Sequence, residues 1–241
     1  MKKYFNILLL VFLVTSCSKD EDEVVYPAPT GEEIPADKKF VSLVDRWEED
    51  LKFTYYPNGK VDNVMVGTQT YIKVDYEGDR IWRFKYYSNI YESYFYEFAY
   101  NDAGVLTGYF RYNITNYELV SYQPLVFNAA TNSYNDWLYF YDNGSIKRVI
   151  SGDLDRTLVY DTTKKGAFFN ADQNLIKYLM IANRNVILWP AYVGRYPCKE
   201  VIQQQGVVEM QNTFDSQTFI TKSHMDSTNG ELTSNYTYIE L

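Results

Sequence analysis

A side-chain alternation with a period of two recurs along most of the chain and constrains the fold more than any other feature. In IWRFKYY, residues 81–87, apolar and charged side chains alternate, and YIKVDY, residues 71–76, repeats the pattern. ESYFYEFAY, residues 92–100, places four aromatic side chains on one face. Successive side chains of a strand point to opposite faces, so this pattern predicts strands with one face in a core. Such strands favour antiparallel pairing.

Short turn sequences rich in asparagine, aspartate and glycine separate these runs. They lie at residues 57–59, 77–79, 101–104, 142–144 and 228–230. Glycine and asparagine tolerate the positive φ that tight hairpin turns need. Several turns share one frame, an aromatic-x-Tyr followed by polar residues, a glycine and an aliphatic residue, as in FTYYPNGKV (53–61) and FAYNDAGVL (98–106). The repeated unit is therefore predicted to be a β-hairpin, at irregular spacing.

These patterns predict an all-β domain over residues 39–241, an extended antiparallel meander of hairpins forming a large curved sheet or open barrel. The chain has 241 residues and is 46% hydrophobic, which is enough to bury a core and excludes a disordered protein. One segment, 170–183, departs from the strand pattern, because its apolar residues follow a helical spacing. We predict one short helix there, with Asn170 or Asp172 as its N-cap.

The first residues have the pattern of a bacterial signal peptide, predicted for residues 1–16. Two lysines precede an apolar stretch over residues 5–14, which is too short to cross a bilayer core of ~30 Å as a helix. Residues 14–17, VTSC, resemble the bacterial lipobox. The resemblance implies cleavage before Cys17 and attachment of lipid to that cysteine. An ordinary signal peptide with a chance cysteine is the alternative.

An acidic run follows Cys17. It comprises Lys19, Asp20, Glu21, Asp22 and Glu23. The run resembles the surface-export signal of Bacteroidetes lipoproteins, which implies a lipid-anchored protein on the outer face of the outer membrane. The alternative is a solvated tether, because like charges repel and keep a chain extended. We assign residues 17–38 to the lipidated cysteine and this tether, and we expect the lipid anchor to make the membrane a partner.

The hairpin frame also carries a family resemblance. It looks like the tyrosine–aspartate repeats of large bacterial surface and toxin-shell proteins. More closely, it resembles a group of Bacteroidetes lipoproteins with a domain of unknown function, which combine such hairpins with a Tyr-Asp-x-x-Lys-Lys-x-x-Phe stretch. Residues 160–168, YDTTKKGAF, match that stretch, although Gly166 and Ala167 replace the usual Asn-Pro. The resemblance covers roughly residues 40–241 and implies an extended, twisted antiparallel sheet, without a catalytic residue.

Charge and rare residues exclude several classes of function. The formal net charge of −8 argues against a nucleic-acid partner, because phosphate binding needs a basic surface. Two cysteines are too few for a disulfide scaffold or a cysteine-based zinc site. After lipidation of Cys17, Cys198 remains as a lone thiol, which we expect to be buried and inert. The single histidine, His224, excludes a site that needs two imidazoles, and we assign no metal and no cofactor.

Catalytic motifs are absent, and we predict a protein that is not an enzyme. Cys198 and His224 lack the context of a thiol protease. Asp153 with Asp155, or the acids at 48–50, are candidate pairs for a glycosidase, which needs two acids ~5–9.5 Å apart. This carboxylate glycosidase stays as a second alternative, and acids in turns more often serve turn geometry. Residues 142–144 offer Ca²⁺ ligands, but they fit a hairpin turn better.

The aromatic residues remain, with 25 Tyr, 14 Phe and 4 Trp. In places they fall on both faces of a strand, which predicts either a second packed layer or an exposed platform for sugar rings. The candidate ligand-binding residues are Trp82, Tyr94, Tyr96, Trp137, Tyr139 and Tyr141. We therefore predict a cell-surface lipoprotein that acts as a non-enzymatic binding or structural module. The alternative is a glycan-binding accessory protein of a polysaccharide-uptake system.

Overall fold

A computed structural model describes residues 38–46, 49–89, 93–172, 174–182, 189–227 and 230–241. The predicted signal peptide over residues 1–16, Cys17, the acidic run 19–23, Glu48 and the turn residues 228–229 lie outside the described residues. Across the described ranges, no helix combines the length and the apolar character needed to cross a membrane.

The described residues form a single antiparallel sheet of 17 strands, which confirms the predicted all-β meander. The strands of the first half are β1 Lys39–Arg46, β2 Leu51–Tyr55, β3 Val61–Val66, β4 Thr70–Glu77, β5 Arg80–Ser88, β6 Tyr94–Tyr100, β7 Leu106–Asn113 and β8 Leu119–Pro124. Those of the second half are β9 Phe127–Asn128, β10 Ser133–Tyr134, β11 Leu138–Phe140, β12 Ile146–Ser151, β13 Leu154–Tyr160, β14 Cys198–Gln203, β15 Gly206–Phe214, β16 Ile220–Ser227 and β17 Gly230–Glu240.

Each strand pairs with its neighbour in sequence from β1 to β8, and again from β9 to β17. The two series join where β1 pairs with β17, from Lys39 opposite Glu240 to Arg46 opposite Ser234. The ends of the sheet are therefore β8 and β9, and these two described strands share no ladder. The sheet is strongly curved but is not a closed barrel.

The turns lie where the sequence predicts them. Residues 57–59, 77–79, 101–104 and 142–144 each connect two strands that pair with one another. At the last of these turns the amide of Gly144 donates to the carbonyl oxygen of Tyr141 at 2.9 Å. Gly144 has a φ of 82°, which explains why this turn uses glycine. The asparagine–glycine signals are therefore confirmed as hairpin turns.

Two tyrosines near the end of a strand, Tyr76 and Tyr160, share a structural role, and we call them the strand-end tyrosines. The Tyr76 hydroxyl donates to the carbonyl oxygen of Val61 on the preceding strand at 3.1 Å, and the Tyr160 hydroxyl donates to that of Ile146 at 2.9 Å. A register shift lies immediately before each of these tyrosines. Val61 and Ile146 lie outside the paired residues of the β3–β4 and β12–β13 ladders. The tyrosine hydroxyl therefore takes the place of a backbone donor from its own strand.

Two helices lie between β13 and β14, α1 at Asn174–Ala182 and α2 at Trp189–Tyr192. Helix α1 falls within the predicted segment 170–183. The side chain of Asp172, one of the two proposed N-caps, accepts a hydrogen bond from the Asn174 amide at 2.9 Å. The buried residues of α1 are Leu175, Ile176, Tyr178, Leu179, Met180 and Ile181. Since they cover most of its circumference, the helix lies inside the protein rather than on its surface.

Contacts of α1 show how far the sheet curves. The Tyr178 ring stacks on Phe98 of β6 with centroids 5.1 Å apart. The Lys177 ammonium lies 5.3 Å from the ring centroids of Tyr134 on β10 and Phe140 on β11. β6 lies near one end of the sheet, and β10 and β11 lie near the other. The sheet therefore wraps around α1, which defines an inner face on the core and an outer face toward solvent.

Candidate binding surface on the outer face

Three of the predicted platform residues lie on the inner face of the sheet or in the core. Tyr96 and Trp137 are each only 8% exposed, so neither offers a ring to a ligand. Tyr94 shares the face of Tyr96 because strand residues two apart point the same way, and the Arg111 guanidinium lies 4.8 Å from its ring centroid. Side-chain alternation correctly predicts that Tyr94 and Tyr96 share one face of their strand, but that face packs on the core.

Tyr139 and Tyr141 serve local structure. The half-buried Tyr141 donates its hydroxyl to the carbonyl oxygen of Leu158 on β13 at 2.8 Å. Tyr139 is half-buried and donates its hydroxyl to the carbonyl oxygen of Asp136 at 3.0 Å. Trp82 is different, because it is the extra residue of a bulge between β4 and β5. Of the predicted set, Trp82 adjoins the surface described next.

Two rows of side chains cross the outer face in register. The first row is Asp75, Arg83, Glu97, Phe110 and Tyr122, on β4 to β8. The second is Lys73, Lys85, Phe95, Tyr112 and Leu119 on the same strands. Alternating neighbours such as Val74, Phe84 and Phe98 are buried in the core, so both rows face outward. Together they place charges on β4 to β6 and apolar, mostly aromatic, side chains on β6 to β8.

The rings on β6 to β8, joined by Tyr117 from the following loop, form a continuous patch. We call Phe110, Tyr112, Tyr117 and Tyr122 the outer aromatic surface, and Phe95, which is 5% exposed, is buried beside Tyr112 and Tyr117. Phe95 stacks on Tyr112 with centroids 4.7 Å apart and planes 17° apart. Phe110 and Tyr122 are also 4.7 Å apart, and Tyr117 lies 5.4 Å from Phe95. Tyr117 and Tyr122 remain 55% and 46% exposed, so the patch meets solvent.

Tyr122 lies across the neighbouring strand at Gly108. A Cβ atom placed on Gly108 would come within 2.8 Å of both the ring and the hydroxyl oxygen of Tyr122. A glycine in a strand interior normally weakens the strand, but here it leaves room for the ring to lie over the backbone. The Tyr122 ring nevertheless remains 46% exposed to solvent. This arrangement gives a supported ring, which is the geometry that stacking on a ligand requires.

The charged half of the rows supplies hydrogen-bonding groups beside the rings. Arg83 Nε donates to Asp75 Oδ2 at 2.9 Å, and Lys85 Nζ lies 3.8 Å from the same carboxylate oxygen. The Arg83 guanidinium lies 4.3 Å from the Trp82 ring centroid and 5.6 Å from that of Phe95. Burial raises the pKa of Glu97, and the charge of Arg83 opposes that rise. Polar groups and ring faces are therefore side by side, an arrangement typical of sites for amphipathic ligands.

The candidate acid pairs have other environments. Asp155 accepts two hydrogen bonds from Arg148, at 2.8 and 2.5 Å, and this pairing lowers the pKa of the Asp155 carboxyl. Asp155 is therefore an ionised partner in an ion pair rather than a proton donor, and Asp153 lies in the turn beside it. Two of the three acids at 48–50 are described, and these two, Glu49 and Asp50, line a polar cleft of about 370 Å³ together with basic side chains. Those basic residues are Arg46 and Lys52.

The thiol and the imidazole are on different faces. Cys198 is buried, its Sγ donates to the carbonyl oxygen of Glu200 at 3.3 Å, and burial raises its pKa to about 12. His224 lies on the outer face of β16, because its neighbour Ser223 points into the protein and is 1% exposed. These positions do not form a nucleophile–base pair. At residues 142–144 the Asn143 side chain accepts a hydrogen bond from the Ser145 amide at 3.0 Å, as expected of a turn.

Comparison with known proteins finds similarity in structure only. No family model matches the chain, and no curated protein matches its sequence. A porin-like protein from Bacteroides uniformis is 12% identical, with a TM-score of 0.43 over 87% of this chain and 100% of its own. A porin-like protein from Bacteroides vulgatus is 12% identical, with a TM-score of 0.39 over 85% of this chain and 100% of its own. Similarity at this level bears on neither the ligand nor the activity of this chain.

Proposed function

We propose that this protein is a non-enzymatic, lipid-anchored module of the outer cell surface that binds polysaccharide through the outer aromatic surface. The lipobox-like sequence ending at Cys17 and the acidic run 19–23 support the anchor and its outward orientation. The likeness of the hairpin frame to Bacteroidetes lipoproteins of unknown function supports the same assignment.

The observation that carries the binding proposal is the supported, 46% exposed ring of Tyr122 over Gly108. A pyranose ring has one or two faces of C–H groups and a rim of hydroxyls. The faces stack on aromatic rings, and the hydroxyls need donors and acceptors. The two rows provide aromatic rings and hydrogen-bonding groups. Phe110 and Tyr112 adjoin Tyr122, and Arg83 and Glu97 follow on the neighbouring strands.

The open shape of the surface predicts weak binding at each sugar. Stacking on one aromatic ring is worth ~1–3 kcal/mol in the comparable case of nucleic-acid bases. A few such contacts on an open face correspond to dissociation constants in the micromolar to millimolar range, roughly −8 to −4 kcal/mol. A polymer that spans several rings gains from repeated contacts, which favours polysaccharide over a single sugar.

Binding can be measured with the full chain, purified in a mild detergent and titrated against a panel of neutral and acidic polysaccharides. We expect Tyr122→Ala to weaken binding to the best polysaccharide about tenfold, as the loss of ~1.4 kcal/mol implies. Tyr139→Ala is the matched control, because Tyr139 is a half-buried tyrosine on the distant strand β11. Equal binding by Tyr122→Ala and the unmodified protein would refute the assignment of the surface. Equal loss of binding in both variants would instead favour the ligand-binding residues that the sequence predicts, which include Tyr139.

The non-enzymatic part of the proposal has its own assay. We expect no release of reducing sugar from any polysaccharide of the panel. Glu49→Gln and Asp155→Asn are the variants to compare, because they remove an acid from the polar cleft and from the ion pair with Arg148. Sugar release that disappears in either variant would establish the glycosidase instead.

A further inference from the structure

Three potential metal ligands converge at one end of the β16–β17 hairpin. His224 and Asp226 lie on β16, and Glu231 lies on β17 directly opposite Asp226. One ligand atom from each, an imidazole nitrogen or a carboxylate oxygen, lies within 4.8 Å of the other two. The two strands pair continuously through this region, with His224 opposite Thr233. A ladder of paired strands fixes the three side chains on one face of the sheet.

The imidazole has the orientation of a metal ligand. His224 Nδ1 lies 3.1 Å from the Thr233 hydroxyl oxygen, and Nε2 lies 3.3 Å from Asp226 Oδ1. When Nδ1 donates its proton to that hydroxyl, Nε2 is left with a lone pair beside the carboxylates. Histidine ligands are commonly held in this way by a hydrogen bond at the other ring nitrogen. A lone pair facing carboxylate oxygens is unfavourable unless a proton or a metal cation lies between them.

We propose that His224, Asp226 and Glu231 form a site for one divalent metal ion of the borderline class represented by Zn²⁺. Zinc binds imidazole nitrogen and carboxylate oxygen at ~2.0–2.2 Å with tetrahedral geometry, which places two ligand atoms ~3.3–3.5 Å apart. The 3.3 Å from His224 Nε2 to Asp226 Oδ1 matches that spacing. Ca²⁺ and Mg²⁺ prefer oxygen ligands and take imidazole poorly. The three side chains leave a fourth position for water or a ligand.

This site was not predictable from the sequence, because a single histidine excludes the usual pairs of imidazoles. The carboxylate that completes it comes from across the turn, and its position depends on the register of β16 and β17. The bound ion would link the two strands at their turn end. It would therefore stabilise the hairpin, since a ligand that binds the folded state alone raises its stability.

Calorimetric titration with ZnCl₂ tests the site in the full chain, carrying no polyhistidine tag and purified in a mild detergent. We expect one equivalent to bind. His224→Gln should abolish the binding, and Asp226→Asn and Glu231→Gln should each weaken it at least tenfold. Asp45→Asn is the control, because Asp45 is an exposed acid on β1, opposite Asn235 of β17. Unchanged binding in His224→Gln, or an equal loss in Asp45→Asn, would overturn the proposal.

The single imidazole allows a second, independent measurement. A long-range ¹H–¹⁵N spectrum contains the signals of one histidine side chain, so His224 needs no assignment by mutation. We expect Zn²⁺ at one equivalent to shift the Nε2 signal and to leave Nδ1 protonated. The alternative to a metal site is an ion pair between Asp226 and an imidazole that carries a proton on both nitrogens. If both nitrogens stay protonated at saturating Zn²⁺, the cluster is an ion pair and not a metal site.

Discussion

The strand-end tyrosines can be tested by removing one hydroxyl group. We choose Tyr76→Phe, because Tyr76 is 2% exposed and donates to the carbonyl oxygen of Val61, which is 0% exposed. The substitution keeps the ring and its packing and removes one oxygen atom. It leaves the Val61 carbonyl without this donor in a place that water does not reach.

The expected cost follows from those two effects. A typical intramolecular hydrogen bond contributes ~0.5–1.5 kcal/mol net, and a buried polar group left without a partner costs ~1–3 kcal/mol. The carbonyl has a second lone pair, so we expect a cost below the upper limit of that range, about 2 kcal/mol in the free energy of unfolding. For a domain of this size that corresponds to a fall in Tm of roughly 4–8 °C.

Urea denaturation followed by tryptophan fluorescence measures the change, with Tyr139→Phe as the matched control. The Tyr139 hydroxyl also donates to a backbone carbonyl, that of Asp136, at 3.0 Å, but in an exposed position. Water can replace that donor, so the control should change the unfolding free energy by less than about 0.5 kcal/mol. If the two variants lose the same stability, or neither loses any, the structural role assigned to the strand-end tyrosines is refuted.

Three further predictions concern the anchor, the tyrosines and the thiol. Cys17→Ser should prevent lipidation and move the protein out of carbonate-washed membranes, as measured by fractionation. Burial raises the pKa of Tyr96 and Tyr134 to about 12 from a usual value near 10. Because the unfolded chain loses these protons at lower pH than the folded protein, the free energy of unfolding should fall between pH 10 and about 12. Tyrosinate absorbance should then rise cooperatively with unfolding. Cys198 should react with a thiol reagent in urea and not in buffer.

Much of the fold could be predicted because its local signals agree with one another. The alternation over 71–76 and 81–87 and the glycine turns each specify a hairpin without reference to the rest of the chain. The short helix was also predictable from the spacing of its apolar residues. Its place inside the sheet was not, because that depends on how far β6 and β10 curve towards each other.

The candidate surface could not be read from any one strand. The sequence showed aromatic rings on both faces, and it could not say which face packs on the core. Tyr94 and Tyr96 were therefore predicted to bind a ligand, although Tyr96 is buried, and Phe110 and Tyr122 were not predicted. Gly108 was a signal in principle, since a glycine inside a strand often marks a close approach. The ring that makes this approach comes from another strand and depends on register.

The pairing of β1 with β17 has a consequence for biosynthesis. β1 shares two residue pairs with β2 but seven with β17, the last of the described strands to leave the ribosome. For most of translation, β1 therefore lacks its main partner, and the apolar side chains of Val41 and Val44 stay exposed. A truncated chain would present an open strand edge to proteases. In crowded conditions, β17 of one molecule could instead pair with β1 of a second, producing strand-exchanged oligomers from correctly synthesised protein.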